Sequence, residues 1–321
     1  MSSFDFYPDK PEISSKEDKN NWSITIGSLL LFIVTFLLLF KEHFQFVFLL
    51  IVVLFIHELG HYLCMKTFKY KNVKMLFVPL MGAFVQGEKT NYSQKQSLLV
   101  VIAGPFPGII IGTVLLIVAY FGNITELYQI GVLFYLLNVF NLLPIDPLDG
   151  GQLVRYLFIA KSEKMLFVFS FLSSLFMIAI GFWLESYLLM GFGFLMGIRV
   201  RSIQKKIALY ADLDVQGIEY SKSYEDLSNK EYHLLRRYSI ENSSILSKYY
   251  RISDEIDEGF VASYVKSILR IPIQMDMSLG AKILLFFSWL LVLIIIPSMI
   301  VISLKFNWIG MDSVSSLLQF T

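Results

Sequence analysis

The chain has 321 residues, of which 55% are hydrophobic, 16% aromatic and only 17% charged. Soluble globular proteins carry about 25% charged residues, so either the charges are segregated or the chain sits in lipid. The near balance of 27 basic and 26 acidic residues gives no electrostatic footprint for nucleic acid. The single cysteine, Cys64, excludes both an internal disulfide framework and a cysteine-based zinc cluster.

Met1–Asn21 is polar and acidic, and reads as a cytosolic tail rather than a cleaved signal peptide. Apolar runs near the roughly 20 residues that span a bilayer then follow at Trp22–Phe40, Phe44–Met65, Ser97–Phe121, Leu127–Leu143, Met165–Trp183, Tyr187–Ile198 and Ala281–Leu304. Tyr187–Ile198 is short, and is expected to be tilted, half-inserted or merged with its neighbour. Between and after these runs, Lys66–Gln96 and Arg199–Gly280 are polar enough to be soluble.

Lys and Arg in short loops favour the cytoplasmic side. With the N-terminus inside and the spans alternating, the inner segments collect the lysines of the N-terminal tail and Lys66, Lys69, Lys71, Lys74, Lys89 and Lys95. They also collect Arg155, Lys161, Lys164 and the basic residues from Arg199 to Lys282, leaving only Lys41 and Lys305 outside. The expected fold is an all-α polytopic membrane protein with about six to seven transmembrane helices and a small cytosolic helical region.

The second run contains two of the four histidines, His57 and His61, in the stretch Ile56-His57-Glu58-Leu59-Gly60-His61. Residues i and i+4 of a helix stack on one face, so both imidazoles can reach one metal ion. Glu58 lies about 100° further round, beside a metal-bound water without itself being a ligand. His-Glu-x-x-His also occurs by chance, usually on solvated helix faces. No solvated face is available here, and three ionisable groups in a spanning helix cost roughly 2–3 kcal/mol each unless paired, metal-bound or water-lined. Cys64 shares the face but lies about 10 Å along the axis from His57, beyond the reach of one ion. It reads as a small core residue, and His43 and His233 read as bystanders.

A catalytic zinc takes a third protein ligand and keeps an open position. The other carboxylate-bearing apolar segment is Asn138 to Gly151, where Pro144 and Pro147 break the fourth span and Gly150-Gly151 permits a sharp backbone. Irregular backbone at membrane depth survives only where it is buried or lines a cavity. Asp149 falls at the same inner depth as His57, and Asp146 competes with it.

These two motifs, His57-Glu58-Leu59-Gly60-His61 and Asn141-Leu-Leu-Pro-Ile-Asp-Pro-Leu-Asp149-Gly150-Gly, resemble the paired signature of the site-2 protease family of intramembrane metalloproteases. The resemblance covers roughly Phe44 to Arg155 and implies a three-helix metalloprotease core there. It implies zinc held by His57, His61 and Asp149, with Glu58 as catalytic base. Asn141 matches the family's asparagine near the active site, which helps position substrate or the polarised carbonyl, and Asp146 becomes cavity lining. Val78 to Val85, including Gly82 and Ala83, resembles the family's membrane-associated β-loop, where an unwound substrate adds as a strand; a plain packed hairpin is the alternative. Ala103-Gly104-Pro105-Phe106-Pro107-Gly108 resembles a Gly-Pro turn in the third span. Gly108 stands where the family commonly has Asn, so a helix kink beside the metal is the expectation for this segment.

The resemblance implies an endopeptidase acting on transmembrane protein substrates in the bilayer, in a multi-pass protein of the bacterial inner membrane whose N-terminus and active-site opening are cytosolic. The corresponding organisation is a tail over 1–21, a transmembrane protease domain over 22–198 and a soluble region over 199–280. A final helix and short tail occupy 281–321. Residues 199–280 have the features of neither a PDZ nor a CBS domain, and could engage a cytosolic regulator. A metal transporter would also hold His and Asp in its spans, but no repeat or second polar cluster is visible. A non-catalytic scaffold would be expected to have lost Glu58 or a ligand.

Overall fold

The computed structural model describes residues 7–13, 21–39, 44–79, 82–159, 162–243, 246 and 257–305. His43, the remainder of the N-terminal tail and residues 306–321 lie outside the described residues, as do Leu80 and Met81 of the expected β-loop.

Long apolar sequence forms helix, and this sets the first elements. Helix α1 covers Asn21–Leu39 and α2 covers Phe44–Thr67. A hairpin follows: β1, Lys71–Val78, pairs antiparallel with β2, Gly82–Glu88, in a register running from Val78↔Gly82 to Lys71↔Glu88 with an irregularity between Lys71 and Lys74. Alternation along β1 buries Val73, Met75 and Phe77 on one face. The outer edge of β1 is held by α1, where the Thr25 hydroxyl donates to the Met75 carbonyl (2.8 Å) and the Ser28 hydroxyl accepts from the Phe77 amide (3.2 Å). Among the described residues β2 has β1 as its one strand partner.

Two-residue β3, Tyr92–Ser93, leads into α3, Gln94–Ala103, and α4, Pro105–Gly122. The break at Gly104 is the expected kink: Pro105 lacks an amide hydrogen and starts a new helix. Helix α5, Thr125–Asn141, packs along α4 and ends before a turn that contains a cis Asp146–Pro147 bond. Helix α6, Asp149–Val154, runs on through a π-turn at Arg155–Ile159. Helices α7, Glu163–Trp183, and α8, Tyr187–Val215, form an antiparallel pair.

Helix α8 corrects one expectation. Tyr187–Ile198 is not a separate short element but the first part of a 29-residue helix that continues through Arg199. No Gly or Pro interrupts the polar stretch from Arg199 to Val215, so the helix continues until Gly217, whose positive φ of 65° ends it. The expected boundary at residue 198 therefore lies inside a helix.

Beyond Gly217 a small helical unit forms its own core. Helix α9, Asn229–Asn242, starts at a capping box in which Ser228 and Glu231 bond each other's backbone amides. Helix α10, Glu258–Ile268, completes a cluster in which Leu213, Tyr232, Leu235, Leu246, Val261 and Val265 are fully buried. Residues 7–13 belong to this unit rather than hanging free: the Lys10 ammonium donates to the carbonyls of Tyr224, Glu225 and Leu227, and Tyr7 stacks on His233. The unit is tied back by β4, Ile273–Gln274, which pairs in parallel with β3, and by a Lys266–Glu88 ion pair (2.7 Å). The chain then returns to apolar sequence in α11, Leu279–Lys305.

Among the described residues, three helical stretches are long and apolar enough to cross a membrane: Phe44–Thr67, Gln94–Gly122 and Glu163–Trp183. Large apolar side chains on their outer faces point away from the protein, and Phe121, Trp183 and Tyr187 are about four-fifths exposed or more at helix ends. That is the surface of an integral membrane protein.

Candidate metal centre

The helical period places His57 and His61 on one stripe of α2, and packing determines what each ring's second nitrogen meets. His57 Nδ1 lies 2.8 Å from the Asn138 Oδ1 on α5, while the Asn138 Nδ2 donates to the Phe134 carbonyl at 2.6 Å. His61 Nδ1 lies 2.8 Å from the Val100 carbonyl on α3. A carbonyl oxygen can only accept, so both rings donate from Nδ1, and in the neutral state each presents an unprotonated Nε2 to the space between them. The kink at Gly104 makes room for this: a Cβ there would fall 2.1 Å from His61 Nε2.

Asp149, the first residue of α6, completes the cluster. Its Oδ2 lies 3.0 Å from His57 Nε2 and 3.2 Å from His61 Nε2, and the two Nε2 atoms are 3.2 Å apart. All three residues are buried, and they are the group of possible metal ligands found among the described residues. With both rings neutral, two imidazole lone pairs and a carboxylate converge and repel one another unless a cation is shared. Their separations match the roughly 3.3 Å between ligands of a tetrahedral zinc with bonds of about 2.0–2.1 Å. The residues present therefore fit zinc. Buried Glu58, next to His57, has an Oε2 without a hydrogen-bond partner, as does Asp149 Oδ2. Such orphaned buried oxygens are rare in structural cores.

Asp149 reaches this position because the turn before it is anchored from three directions. The Asp146 carboxylate, 1% exposed, accepts from the Ser170 hydroxyl (2.7 Å) and from Arg199 Nε (2.8 Å) and Nη2 (3.2 Å). Its amide donates to the Ser173 hydroxyl at 3.1 Å. On the other side, Trp289 of α11 donates from Nε1 to the Leu142 carbonyl at 2.8 Å. Glycine at 150 is required by close approach, since a Cβ would fall 2.0 Å from the Leu142 carbonyl oxygen.

The sequence-derived candidates thus separate. His57, His61 and Asp149 come together with Glu58 beside them, whereas Asp146 turns to Arg199, and Cys64 and His233 lie outside the cluster. Asn141, at the end of α5, is half-buried and makes no hydrogen bond to the cluster among the described residues. Gly82 and Ala83 begin β2, opposite Val78 and Phe77. Sequence reasoning missed Asn138, Arg199 and Trp289. A buried polar side chain in an apolar run was the available signal for Asn138, and an arginine directly after an apolar segment was the one for Arg199.

A cavity of about 500 Å³ adjoins the site, lined by Val85, Gln86, Gly87 and Glu88 of β2 and by Ser97, Val100 and Val101 of α3. Gln152, whose Nε2 lies 3.5 Å from Asp149 Oδ1, lines it from α6. Tyr70 and Tyr92 also face it; burial pushes the Tyr70 hydroxyl up to about 12 and raises that of Tyr92, so both are neutral donors at physiological pH.

Comparison with known proteins finds similarity over part of the chain. Residues 45–132 match the model of peptidase family M50. A zinc metalloprotease of Methanocaldococcus jannaschii is 38% identical over 112 residues, which is 33% of this chain and 32% of that protein. Stage IV sporulation protein FB of Bacillus subtilis is 31% identical over 135 residues, 40% of this chain and 45% of that one. The alignments thus span about a third and under half of the length of these curated relatives. A solved site-2 protease from Methanocaldococcus jannaschii is 26% identical with a TM-score of 0.42, covering 54% of this chain and 85% of that one. Over the shared stretch, which carries His57, Glu58 and His61, the chain is similar to peptidase family M50.

Proposed function

We propose that this protein is an intramembrane zinc metalloendopeptidase that hydrolyses peptide bonds in or near transmembrane segments of membrane proteins. The observation that carries the reading is the convergence of two imidazole Nε2 atoms and a carboxylate oxygen at 3.0–3.2 Å, next to a buried glutamate, in apolar helices. His57, His61 and Asp149 would hold the zinc, which when bound supplies Lewis acidity toward the scissile carbonyl and an attacking water. Glu58 takes the proton from that water and passes it to the leaving amine. Asn141 orients the substrate carbonyl.

A helical substrate protects its backbone by internal hydrogen bonds, so it must unwind before attack. The edge of β2 that faces the cavity offers main-chain groups to which an extended substrate strand can add, with Gly82 and Ala83 at the start of that edge. The coverage of β1's edge by Thr25 and Ser28 favours addition at β2.

The reading extends to six or seven membrane spans, with α1, α5, the apolar part of α8 and α11 joining the three long ones. Residues 22–198 form the protease domain with its core over 44–155, followed by a soluble region over 199–280 and the last helix with its tail over 281–321. Residues 1–21 begin in the cytosol, and the active site opens there, in a bacterial inner membrane. The helical unit is the surface on which a cytosolic regulator would act.

Glu58→Gln should abolish cleavage while zinc content stays at one ion per chain. Membrane proteomes of cells carrying the native protein and the variant report this directly, because substrate stubs accumulate only with the variant. Cleavage undiminished in Glu58→Gln would remove the glutamate from its role.

A further inference from the structure

Asn138 lies in the last turn of α5 with no exposed surface at all, in an otherwise largely apolar run. Asparagine is a poor helix former and costly to bury, so its position requires a reason. Its carboxamide is held at both ends. Nδ2 donates to the Phe134 carbonyl one turn earlier (2.6 Å), which leaves Oδ1 to accept from His57 Nδ1 (2.8 Å). The Phe134 carbonyl cannot donate, so the amide has one allowed orientation. The orientation of the amide then dictates the tautomer of the histidine: protonated on Nδ1, unprotonated on the Nε2 that faces Asp149 at 3.0 Å. Full burial keeps water from taking over the contact.

The opposing helix is shaped to admit this group. Gly108 of α4 faces Asn138, and a Cβ at 108 would fall 2.0 Å from Asn138 Nδ2, 2.4 Å from Cγ and 2.6 Å from Oδ1. Every atom of the carboxamide occupies space that any other residue at 108 would fill. Glycine inside a helix costs about 1 kcal/mol relative to alanine, as does asparagine to a lesser degree. Two unfavourable choices on facing helices meet at one hydrogen bond to a histidine, and that coincidence has a single physical product.

We propose that Asn138 is a positioning residue for the metal centre, holding His57 in its Nδ1-protonated tautomer, and that Gly108 is the recess that lets it do so. The inference rests on the zinc reading of the site. It assigns the orienting partner of one ligand to α5, so that α4–α5 packing and metal affinity are coupled.

The test uses the purified full-length protein in nanodiscs, stripped and titrated with zinc against a chromophoric chelator. Asn138→Leu, close in shape but without hydrogen bonds, should weaken zinc binding about 10–100-fold, the usual effect of losing such a partner. Asn138→Asp keeps an acceptor for Nδ1 and should bind zinc at least as tightly as the native protein. With cobalt in place of zinc, its visible absorption bands should shift, because a carboxylate partner makes imidazole a stronger donor. Gly108→Ala should lose affinity as Asn138→Leu does, since the methyl displaces the amide. Native affinity in Asn138→Leu, or an equal loss in Asn138→Asp, would overturn the proposal by leaving Asn138 a packing role or none. If Asn138→Leu fails to fold, Asn138→Asp decides: tight binding with shifted cobalt bands supports the proposal, and unshifted bands or weak binding overturn it. A native protein that takes up no zinc would instead remove the metal reading itself.

Discussion

The metal centre and the helical unit beyond Gly217 are built on opposite principles. Around the centre, buried polar groups meet through single, directed contacts: Asn138 on His57, Val100 on His61, Arg199 on Asp146 and Trp289 on the turn. The packing is close because glycines at 104, 108 and 150 let backbone approach side chains. The helical unit instead rests on a contiguous cluster of Leu, Val and Tyr side chains, with a capping box and ion pairs at its surface. One region is organised for position; the other is organised for stability through apolar area removed from water. The lesson is that substitutions should separate the two, except where a residue joins them.

The largest expected effect tests the first region alone. His57→Ala, His61→Ala or Asp149→Ala each removes one of the converging donors. Zinc content measured by atomic emission should fall to background, well beyond the roughly 10–100-fold typical of an outer partner, while the helical unit keeps its hydrogen-exchange protection. The second test inverts this. Leu235 is fully buried, and Leu235→Ala should destabilise the unit by about 2–5 kcal/mol. Faster amide exchange across α9 and α10 with unchanged zinc content is the expected result; joint loss of both would show that the regions fold as one.

Arg199 sharpens the comparison because α8 runs from one region into the other. Arg199→Gln leaves the Asp146 carboxylate buried with only Ser170 to donate to it. Losing a fully buried partner costs about 3–5 kcal/mol, but the Arg199 side chain is 40% exposed. The expected loss is therefore about 1–3 kcal/mol in thermal stability, accompanied by faster zinc dissociation. A lower melting temperature with unchanged zinc dissociation would separate the Asp146 anchor from the centre.

The smallest effect lies at the capping box. The Lys222 ammonium and the Ser228 backbone amide hold the Glu231 carboxyl down at about 2, below its ordinary 4.5. A depressed carboxyl contributes stability above its unfolded value and loses it as the pH falls through the folded one. The contribution should thus be present above pH 4.5 and vanish toward pH 2. Being partly exposed, it is screened, and Glu231→Gln should cost at most about 1 kcal/mol at neutral pH. Thermal melts of the two proteins should converge as the pH approaches 2.

Much of the fold was legible in the sequence. The apolar runs became α1, α2, α3–α4, α5, α7 and α11 within a few residues, since long apolar stretches form helix in either solvent and isolated glycines within them are tolerated. The kink at Gly104-Pro105 was legible for the converse reason. The end of α8 was misread, because composition switched from apolar to charged at Arg199 while helix propensity did not. Hydropathy reports solvent, not secondary structure. The packing of the N-terminal tail was not legible: Lys10 folds back onto carbonyls more than 200 residues away, which no local pattern encodes.

The sequence by itself determined the stripe of His57 and His61 with Glu58 beside it, because the period of a helix is a property of the backbone and needs no neighbour. It left Asp146 and Asp149 as rivals, three residues apart in a turn. Tertiary structure decided which of them turns toward the histidines, through the contacts of Ser170, Ser173, Arg199 and Trp289 on the turn. It likewise decided that Asn138, rather than Asn141, meets His57. Which residue of one helix meets which residue of another depends on how the helices cross. That crossing is set by packing of the small residues between them, and no spacing within a single helix contains it.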